Sequence, residues 1–317
     1  MYTMIFDITI GNFKLGMVER VTVHKSVELL ADTATITLPG AEYNAALQIE
    51  DKLKRGDKVC IRFGYEETGL ETEFEGWLQR ITTDGGSITL TCEDDLYLYR
   101  KRMENQVLQK CTLKELLETV VRNAGQEHKV SCTYDWTYSK FVINNATGYD
   151  VLKKVKEESG ADIYIKDGTL HVHSAGERIG EERLYDFGLN VEKTDLSYRK
   201  LSDNRLQVTV KANMPTGYVK EIDCGSAGGD KIEIKCPTSD EASMKARGEL
   251  EVRRRSFDGY EGSITGWLVP MCKPGDSAVL RDRDYEYKDG TYFVAAVTTE
   301  FGRDGGKRKV TLGFKLS

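Results

Sequence analysis

The sequence has no apolar run that approaches the roughly 18–20 residues a membrane helix needs. Its opening, Met1-Tyr2-Thr3-Met4-Ile5-Phe6-Asp7, has neither the basic stretch nor the long apolar core of a secretory signal. No membrane anchor is therefore expected. Proline is scarce, at 5 residues in 317, so rigid breaks are few, while 30 glycines supply turns. No pair of cysteines has C-x-x-C spacing. The seven present (Cys60, Cys92, Cys111, Cys132, Cys224, Cys236, Cys272) are odd in number and scattered, as expected of free thiols in a protein assembled in a reducing cytoplasm. Positive charge is in deficit: 45 Lys and Arg against 51 Asp and Glu give a net charge of -6, which argues against a nucleic-acid binder.

Short alternating segments are what the first hundred residues do contain. Met4 to Ile10 reads as an opening strand. Ala34, Ile36 and Leu38 share one face of Thr33 to Leu38, which Pro39-Gly40 stops. Val59, Ile61 and Phe63 alternate after Gly56-Asp57, and strands at Phe74 to Ile81 and Ile88 to Cys92 flank Asp84-Gly85-Gly86. Period-two patterning at this spacing predicts a sandwich or barrel with one buried face.

The period changes near residue 105. Thr112 and Glu115 form a capping box, and Leu113, Leu116, Leu117, Val120 and Val121 then lie on one helical stripe that Gly125 ends. Short strands are expected near Val130 to Thr133 and Phe141 to Asn144. Thr147 and Asp150 open a second helix carrying Val151, Leu152 and Val155. Ile163 to Ile165 and Leu170 to Val172 then make a hairpin about Asp167-Gly168. From about residue 180 strands return: Leu206 to Ala212, Ile232 to Cys236, Tyr260 to Val269, Ser277 to Arg281, Thr291 to Glu300 and Val310 to Leu316. One helix interrupts them, with Thr238 and Glu241 expected as its capping box. The predicted fold is mainly β with an α+β insert: a first barrel over 1–104, a small α+β domain over 105–180, and a second barrel with one helix over 181–317.

The two β regions resemble each other. Gly56-Asp57-Lys58-Val59-Cys60-Ile61-Arg62 matches Gly275-Asp276-Ser277-Ala278-Val279-Leu280-Arg281. An acidic, Tyr-containing turn follows each, then a longer strand (Phe74 to Thr82, Thr291 to Thr299), a glycine pair (Gly85-Gly86, Gly305-Gly306) and a closing alternating strand. A duplicated barrel accounts for all of these at once, and duplication alters the symmetry an assembly can show.

Catalytic chemistry finds little support. His171 and His173 fall on one strand face, but no further ligand sits at metal-site spacing. The loop Cys224-Gly225-Ser226-Ala227-Gly228-Gly229-Asp230-Lys231 lacks the spacing of a phosphate-binding loop or a nucleophile elbow and reads as a mobile connection. Glu93-Asp94-Asp95 and Glu157-Glu158 read as solvated charge, and Arg253-Arg254-Arg255 as a solvated helix end. Tyr97, Tyr99, Tyr134, Trp136 and Tyr138 could stack on sugars, but packing is the commoner use of such residues. No nucleophile, base and orienting group come together, so neither an enzyme nor a cofactor is expected.

The order of these motifs resembles the phage tail hub family, the late control protein D of contractile tails, which is related to the hub half of type VI spike proteins. The resemblance runs through Asp32 to Leu38, Gly56-Asp57 and Phe74-Glu75-Gly76-Trp77 in the first part. In the middle it runs through Leu113 to Leu117, Asp150 to Val155 and Gly160 to Tyr164. In the last part it is carried by Gly262-Ser263-Ile264-Thr265-Gly266-Trp267-Leu268-Val269-Pro270, then Lys273-Pro274-Gly275-Asp276, then Asp289-Gly290-Thr291-Tyr292. The resemblance implies two tail-tube-like antiparallel β-barrels, with Gly56, Asp57, Gly76, Gly262, Gly266, Pro270, Pro274, Gly275, Asp276, Gly290 and Tyr292 as structural positions. It further implies a homotrimer whose six barrels form a ring in the virion tail baseplate. That ring would sit between a tail tube protein and a separate spike, beside other baseplate proteins, with DNA only as passing cargo. No long repetitive spike follows the second barrel in this sequence. The alternative is a carbohydrate-binding or cell-wall-degrading tail-associated β-protein.

Overall fold

The computed structural model describes every residue except 1, 41–51, 85, 177–179, 204, 215, 285–288 and 304. Gly85 and most of the second repeat's Tyr-containing turn thus lie outside the described residues. The first segment forms β1 (Met4–Ile10), β2 (Phe13–Leu15), β3 (Arg20–Ser26), β4 (Thr33–Leu38), β5 (Lys58–Tyr65), β6 (Gly69–Asp84) and β7 (Ser87–Glu93). Alternation drives them. In β4 the side chains of Ala34, Ile36 and Leu38 are buried and the threonines between them are half-buried. The antiparallel order is β2-β1-β5-β6-β7-β4-β3. Its two end strands, β2 and β3, are consecutive in the chain, so the path curls back around one core that includes Ile8, Ile36, Ile61, Leu78 and Leu90. Two single-residue bulges interrupt β6. Thr72 and Phe74 face Arg62 and Ile61, which leaves Glu73 as the extra residue; Leu78 and Arg80 face Cys92 and Thr91, which leaves Gln79.

The middle holds β8 (Gln106–Thr112), α1 (Leu113–Asn123), β9 (Lys129–Cys132), β10 (Thr137–Ile143), α2 (Gly148–Ser159), β11 (Asp162–Lys166) and β12 (Thr169–His173). Both expected capping boxes form. The Thr112 hydroxyl accepts from the Glu115 amide and the Glu115 carboxylate accepts from the Thr112 amide; Thr147 and Asp150 repeat the exchange. Gly160 closes α2 at φ +71°, a left-handed conformation that suits glycine.

The remainder forms β13 (Glu182–Asp186), β14 (Val191–Arg199), β15 (Leu206–Asn213), β16 (Val219–Gly225), β17 (Asp230–Cys236), α3 (Glu241–Arg255), β18 (Gly259–Gly266), β19 (Ser277–Arg281), β20 (Gly290–Gly302) and β21 (Gly305–Lys315). Six of these follow the order β13-β19-β20-β21-β18-β14, again with the two ends consecutive in the chain, around Ile264, Leu280, Val294 and Val310. Most strand pairs are antiparallel, but β13–β19, β9–β12 and β15–β17 are parallel.

Two local expectations need correction. The N-cap of α3 is Asp240, whose carboxylate accepts from the Ser243 amide; Thr238 is fully buried and instead accepts from the Asp240 amide. Helix α3 and the sheet β16-β15-β17 come from the stretch expected to belong to the second barrel. Their Val208, Val210 and Met244 share a core with Leu116, Leu117 and Leu152 of the middle elements. Both sets have one apolar face that needs covering, and each covers the other.

Candidate functional site: the seam between the two barrels

A repeated turn positions the strands on either side of the seam. Gly56, at φ +92°, donates its amide to the Leu78 carbonyl (2.8 Å), and Leu78 donates back to the Asp57 carbonyl (2.8 Å). Asp57 donates its amide to Lys54 O (3.0 Å), while its carboxylate accepts from the Lys54 amide (2.7 Å). Gly275, at φ +90°, makes the same four contacts: with Val294 (2.9 and 2.9 Å), and through Asp276 with Lys273 (3.1 and 2.9 Å). The two Lys-x-Gly-Asp sequences therefore fold identically, because a left-handed residue at the glycine aims its own amide at the long strand and the aspartate amide back into the turn.

The other signature positions serve close packing. A Cβ on Gly76 would meet the Glu93 carbonyl at 2.2 Å; on Gly262, which has φ +121°, it would meet Asp195 O at 2.0 Å; on Gly266 it would meet Asn190 O at 2.5 Å. Gly290 leaves only 3.0 Å to the Lys315 and Tyr292 side chains. Tyr292 is buried, and its hydroxyl accepts from the Tyr260 amide at 3.0 Å. Pro270 follows a cis peptide bond, and its carbonyl accepts from Arg308 Nη1 (2.8 Å). Pro274 precedes the Gly275 turn.

Strands β20 and β3 join the two paths edge to edge, from Ala296 opposite Ser26 to Gly302 opposite Arg20, which makes one 13-stranded sheet. Phe301 of the second barrel stacks on Phe63 of the first, with centroids 4.5 Å apart, and meets Phe6 edge-on. Beside them Glu73, re-aimed by its bulge, reaches Arg308 on the inward face of β21. The carboxylate also accepts from Thr299 Oγ1 (2.8 Å), and Arg308 Nη1 donates to the carbonyls of Leu268 and Pro270. On the neighbouring face His24 Nδ1 lies 2.9 Å from Thr298 Oγ1. Burial lowers the Lys25 pKa, opposed by the nearby carboxylates of Glu73 and Asp32. Sequence reading missed Glu73, Thr299 and Arg308. The one available signal was a charge in register with Val310 and Leu312 on an otherwise apolar face.

Of the groups that pointed toward carbohydrate chemistry, Tyr97 is half-buried and Glu157 exposed, and the others are engaged within the fold. Tyr99, Tyr134, Trp136 and Tyr138 are buried in the middle core and offer no ring face to a sugar. Glu93, Asp94 and Asp95 are not solvated charge. Glu93 is 2% exposed and bound by Arg100 through two nitrogens (2.7 and 2.8 Å). The Asp94 carboxylate accepts from the amides of Asp32 and Leu96, and burial beside Asp32 pushes its pKa well up. Asp95 accepts from Trp77 Nε1 (2.9 Å). His173 contacts Thr133 Oγ1 through Nδ1 (2.8 Å) and the Tyr164 hydroxyl through Nε2 (3.2 Å), while His171 stacks on Tyr164. The Cys224–Lys231 loop crosses β15 between β16 and β17, bonded to the carbonyls of Arg205 and Leu206. Within the arginine run, Arg253 lies over Phe314, Arg255 pairs with Glu251, and Arg254 lines a cleft of about 550 Å³ with Arg247 and Lys156. No described helix is long and apolar enough to cross a membrane.

No protein-family model matches the chain, and no curated protein matches it by sequence. Solved structures do match. A tail protein from Neisseria meningitidis MC58 superposes with TM-score 0.67 at 14% identity, covering 99% of this chain and 97% of that one. The 43 kDa tail protein of prophage MuSo2 from Shewanella oneidensis gives 0.63 at 15%, covering 97% and 95%. A type VI secretion component of E. coli, described as similar to bacteriophage tail proteins, gives 0.58 at 11%, covering 98% of this chain and 77% of that one. At these identities the likeness is one of fold: the chain has the β-rich fold of phage tail proteins and of type VI spike-related proteins.

Proposed function

We propose that this chain is a baseplate hub subunit of a phage-like contractile tail, a structural protein and not an enzyme. The observation that carries the reading is one chain with two barrels of matching strand order, each carrying the same Lys-x-Gly-Asp turn and joined edge to edge through β20 and β3. Three such chains would set six near-equivalent barrels around an axis. One face of that ring meets a sixfold tube, and the other presents threefold symmetry to a separate spike chain. The role is mechanical: it matches two symmetries and leaves a channel through which DNA passes as cargo. The net charge of -6 is consistent with a wall that does not hold phosphate backbones. The eleven signature positions are proposed as structural, since each sits at a turn, a close approach or a buried contact. The chain is proposed to reside in the virion tail baseplate, next to tube, spike and other baseplate proteins, after assembly in the bacterial cytoplasm.

Light scattering of the purified chain across a concentration series tests this reading. A mass of three chains is expected at high concentration. A mass of one chain at every concentration overturns it.

A further inference from the structure

The seam inside the chain supplies a template for a seam between chains. Three independent features align β6 with β20. The Gly56 turn grips Leu78 as the Gly275 turn grips Val294. A one-residue bulge follows in each strand, at Gln79 and at Ala295. The next residues then correspond in type, Ile81-Thr82-Thr83-Asp84 beside Val297-Thr298-Thr299-Glu300. All three place Thr82 where Thr298 stands. The pairings aligned in this way match β3 to β14: Val21 faces Ile36, which faces Leu90, and Thr194 faces Ile264, which faces Val310. Ser197 therefore stands where His24 does.

Within one chain β20 is paired on both edges over Ala296 to Gly302, with β21 on one side and β3 on the other. The corresponding stretch of β6, Arg80 to Asp84, is paired only with β7 among the described residues. Strand β14 is likewise paired only with β18 among the described residues. The two edges that correspond to the occupied ones are thus both open. Strand β14 is exposed along most of its length and carries Tyr198 at 51% exposure, an aromatic residue on a bare sheet edge. Such an edge invites strand addition.

We infer that β14 of one copy of this chain adds antiparallel to β6 of the next, in the register the internal seam uses. Ile81 then lies opposite Tyr198, Thr82 opposite Ser197, and Thr83 opposite Leu196. The inference rests on the hub reading and names the strands that close its ring. The contact is head-to-tail, the kind that forms rings when the rotation closes. An apolar pair covers Tyr198, and a hydroxyl pair repeats the His24–Thr298 contact. Arg80 falls opposite Arg199, whose guanidinium is already held by Glu261 and by the Arg255 carbonyl. The position corresponding to Arg308 is Ile88, so the seam between copies has no counterpart of the buried ion pair and is the weaker of the two.

Cysteine trapping tests the register. Under mild oxidation Thr82→Cys/Ser197→Cys is expected to give covalent species of up to three chains on a non-reducing gel, while either single variant runs as one chain. Thr82→Cys/Lys193→Cys, four residues out of register, is expected to stay uncrosslinked. His24→Cys/Thr298→Cys, which closes within one chain, shows that the oxidation works. Separately, Tyr198→Lys is expected to raise the concentration needed for the three-chain mass at least tenfold while leaving the circular dichroism spectrum unchanged. A wild-type mass of three chains without cross-links in Thr82→Cys/Ser197→Cys overturns the strand assignment and leaves the ring standing. A wild-type mass of one chain throughout overturns the ring and this pairing with it.

Discussion

Glu73 and Arg308 lie 235 positions apart and meet at 2.5 Å, with side chains 1% and 3% exposed, where one barrel touches the other. A charge at this depth is tolerated only with a partner and a full set of hydrogen bonds. Both conditions hold: Thr299 and two backbone carbonyls occupy the remaining sites. Removing one partner leaves the other charged and stranded. Glu73→Ala is therefore expected to destabilise the chain by about 3–5 kcal/mol. A paired Glu73→Met/Arg308→Met change should cost much less than the two single changes added together. Urea midpoints of Glu73→Met, Arg308→Met and the double variant measure this; additive single effects would show that the pair does not act as a unit.

The repeated turn makes a second, comparative prediction. Asp57→Ala removes one acceptor, that of the Lys54 amide, at a half-exposed site and is expected to cost about 1 kcal/mol. Asp276 is 6% exposed; its carboxylate accepts from the amides of Lys273 and Glu181 and lies 3.6 Å from Arg183 Nε. Asp276→Ala is expected to cost about 2–4 kcal/mol, because it strands two amides and removes the carboxylate beside Arg183. Asp57→Asn keeps an acceptor and should unfold close to the wild-type midpoint. Equal losses at the two aspartates would mean that burial does not set the difference.

Much of this architecture was legible in the residues, and the boundary of legibility has a physical cause. Strands with strict alternation, such as Thr33–Leu38 and Ser87–Glu93, announce themselves because one face is buried in their own barrel. The helix caps at Thr112 and Thr147 were readable because both partners lie within three residues. Strand β14 was not readable: its residues are exposed, so nothing forces a period on them. The seam was hidden for a different reason. The sequence shows a glutamate beside Phe74 and an arginine before Val310, but only the fold turns them toward each other. The engagement of Glu93-Asp94-Asp95 was missed for the same reason, since Arg100, Asp32 and Trp77 satisfy those carboxylates from other elements.

Trp136 discriminates packing from ligand stacking. It is 1% exposed and sits between Tyr134 and Tyr138, with centroids 5.8 and 5.9 Å away. Trp136→Ala is expected to cost about 3–5 kcal/mol, as deletion of a large buried ring does. Trp136→Phe keeps an aromatic ring in the same core, so a much smaller loss is expected. Thermal unfolding of both variants measures the difference. Full stability in Trp136→Ala would argue that the ring serves something other than the core.

Lys156 makes a pH prediction with a defined sign. Its Nζ donates to the Val27 carbonyl of the first barrel (2.7 Å) and to Ala161 O (3.3 Å), and Asp162 lies 3.9 Å away. Burial pushes its pKa down from 10.5 to about 8. Below pH 8 the ammonium is charged in both the folded and the unfolded chain, and the folded state bears the cost of burying it. Between pH 8 and 10.5 the unfolded chain holds more protons at this site than the folded one, so stability rises with pH across that window. At about 1.4 kcal/mol per unit the full contribution is roughly 3 kcal/mol. Other groups titrate there as well, so the difference between wild type and Lys156→Met isolates the effect. The gap between their urea midpoints is expected to move in favour of wild type as pH rises from 7.5 to 9.5. A gap that stays constant would place the Lys156 pKa outside this window.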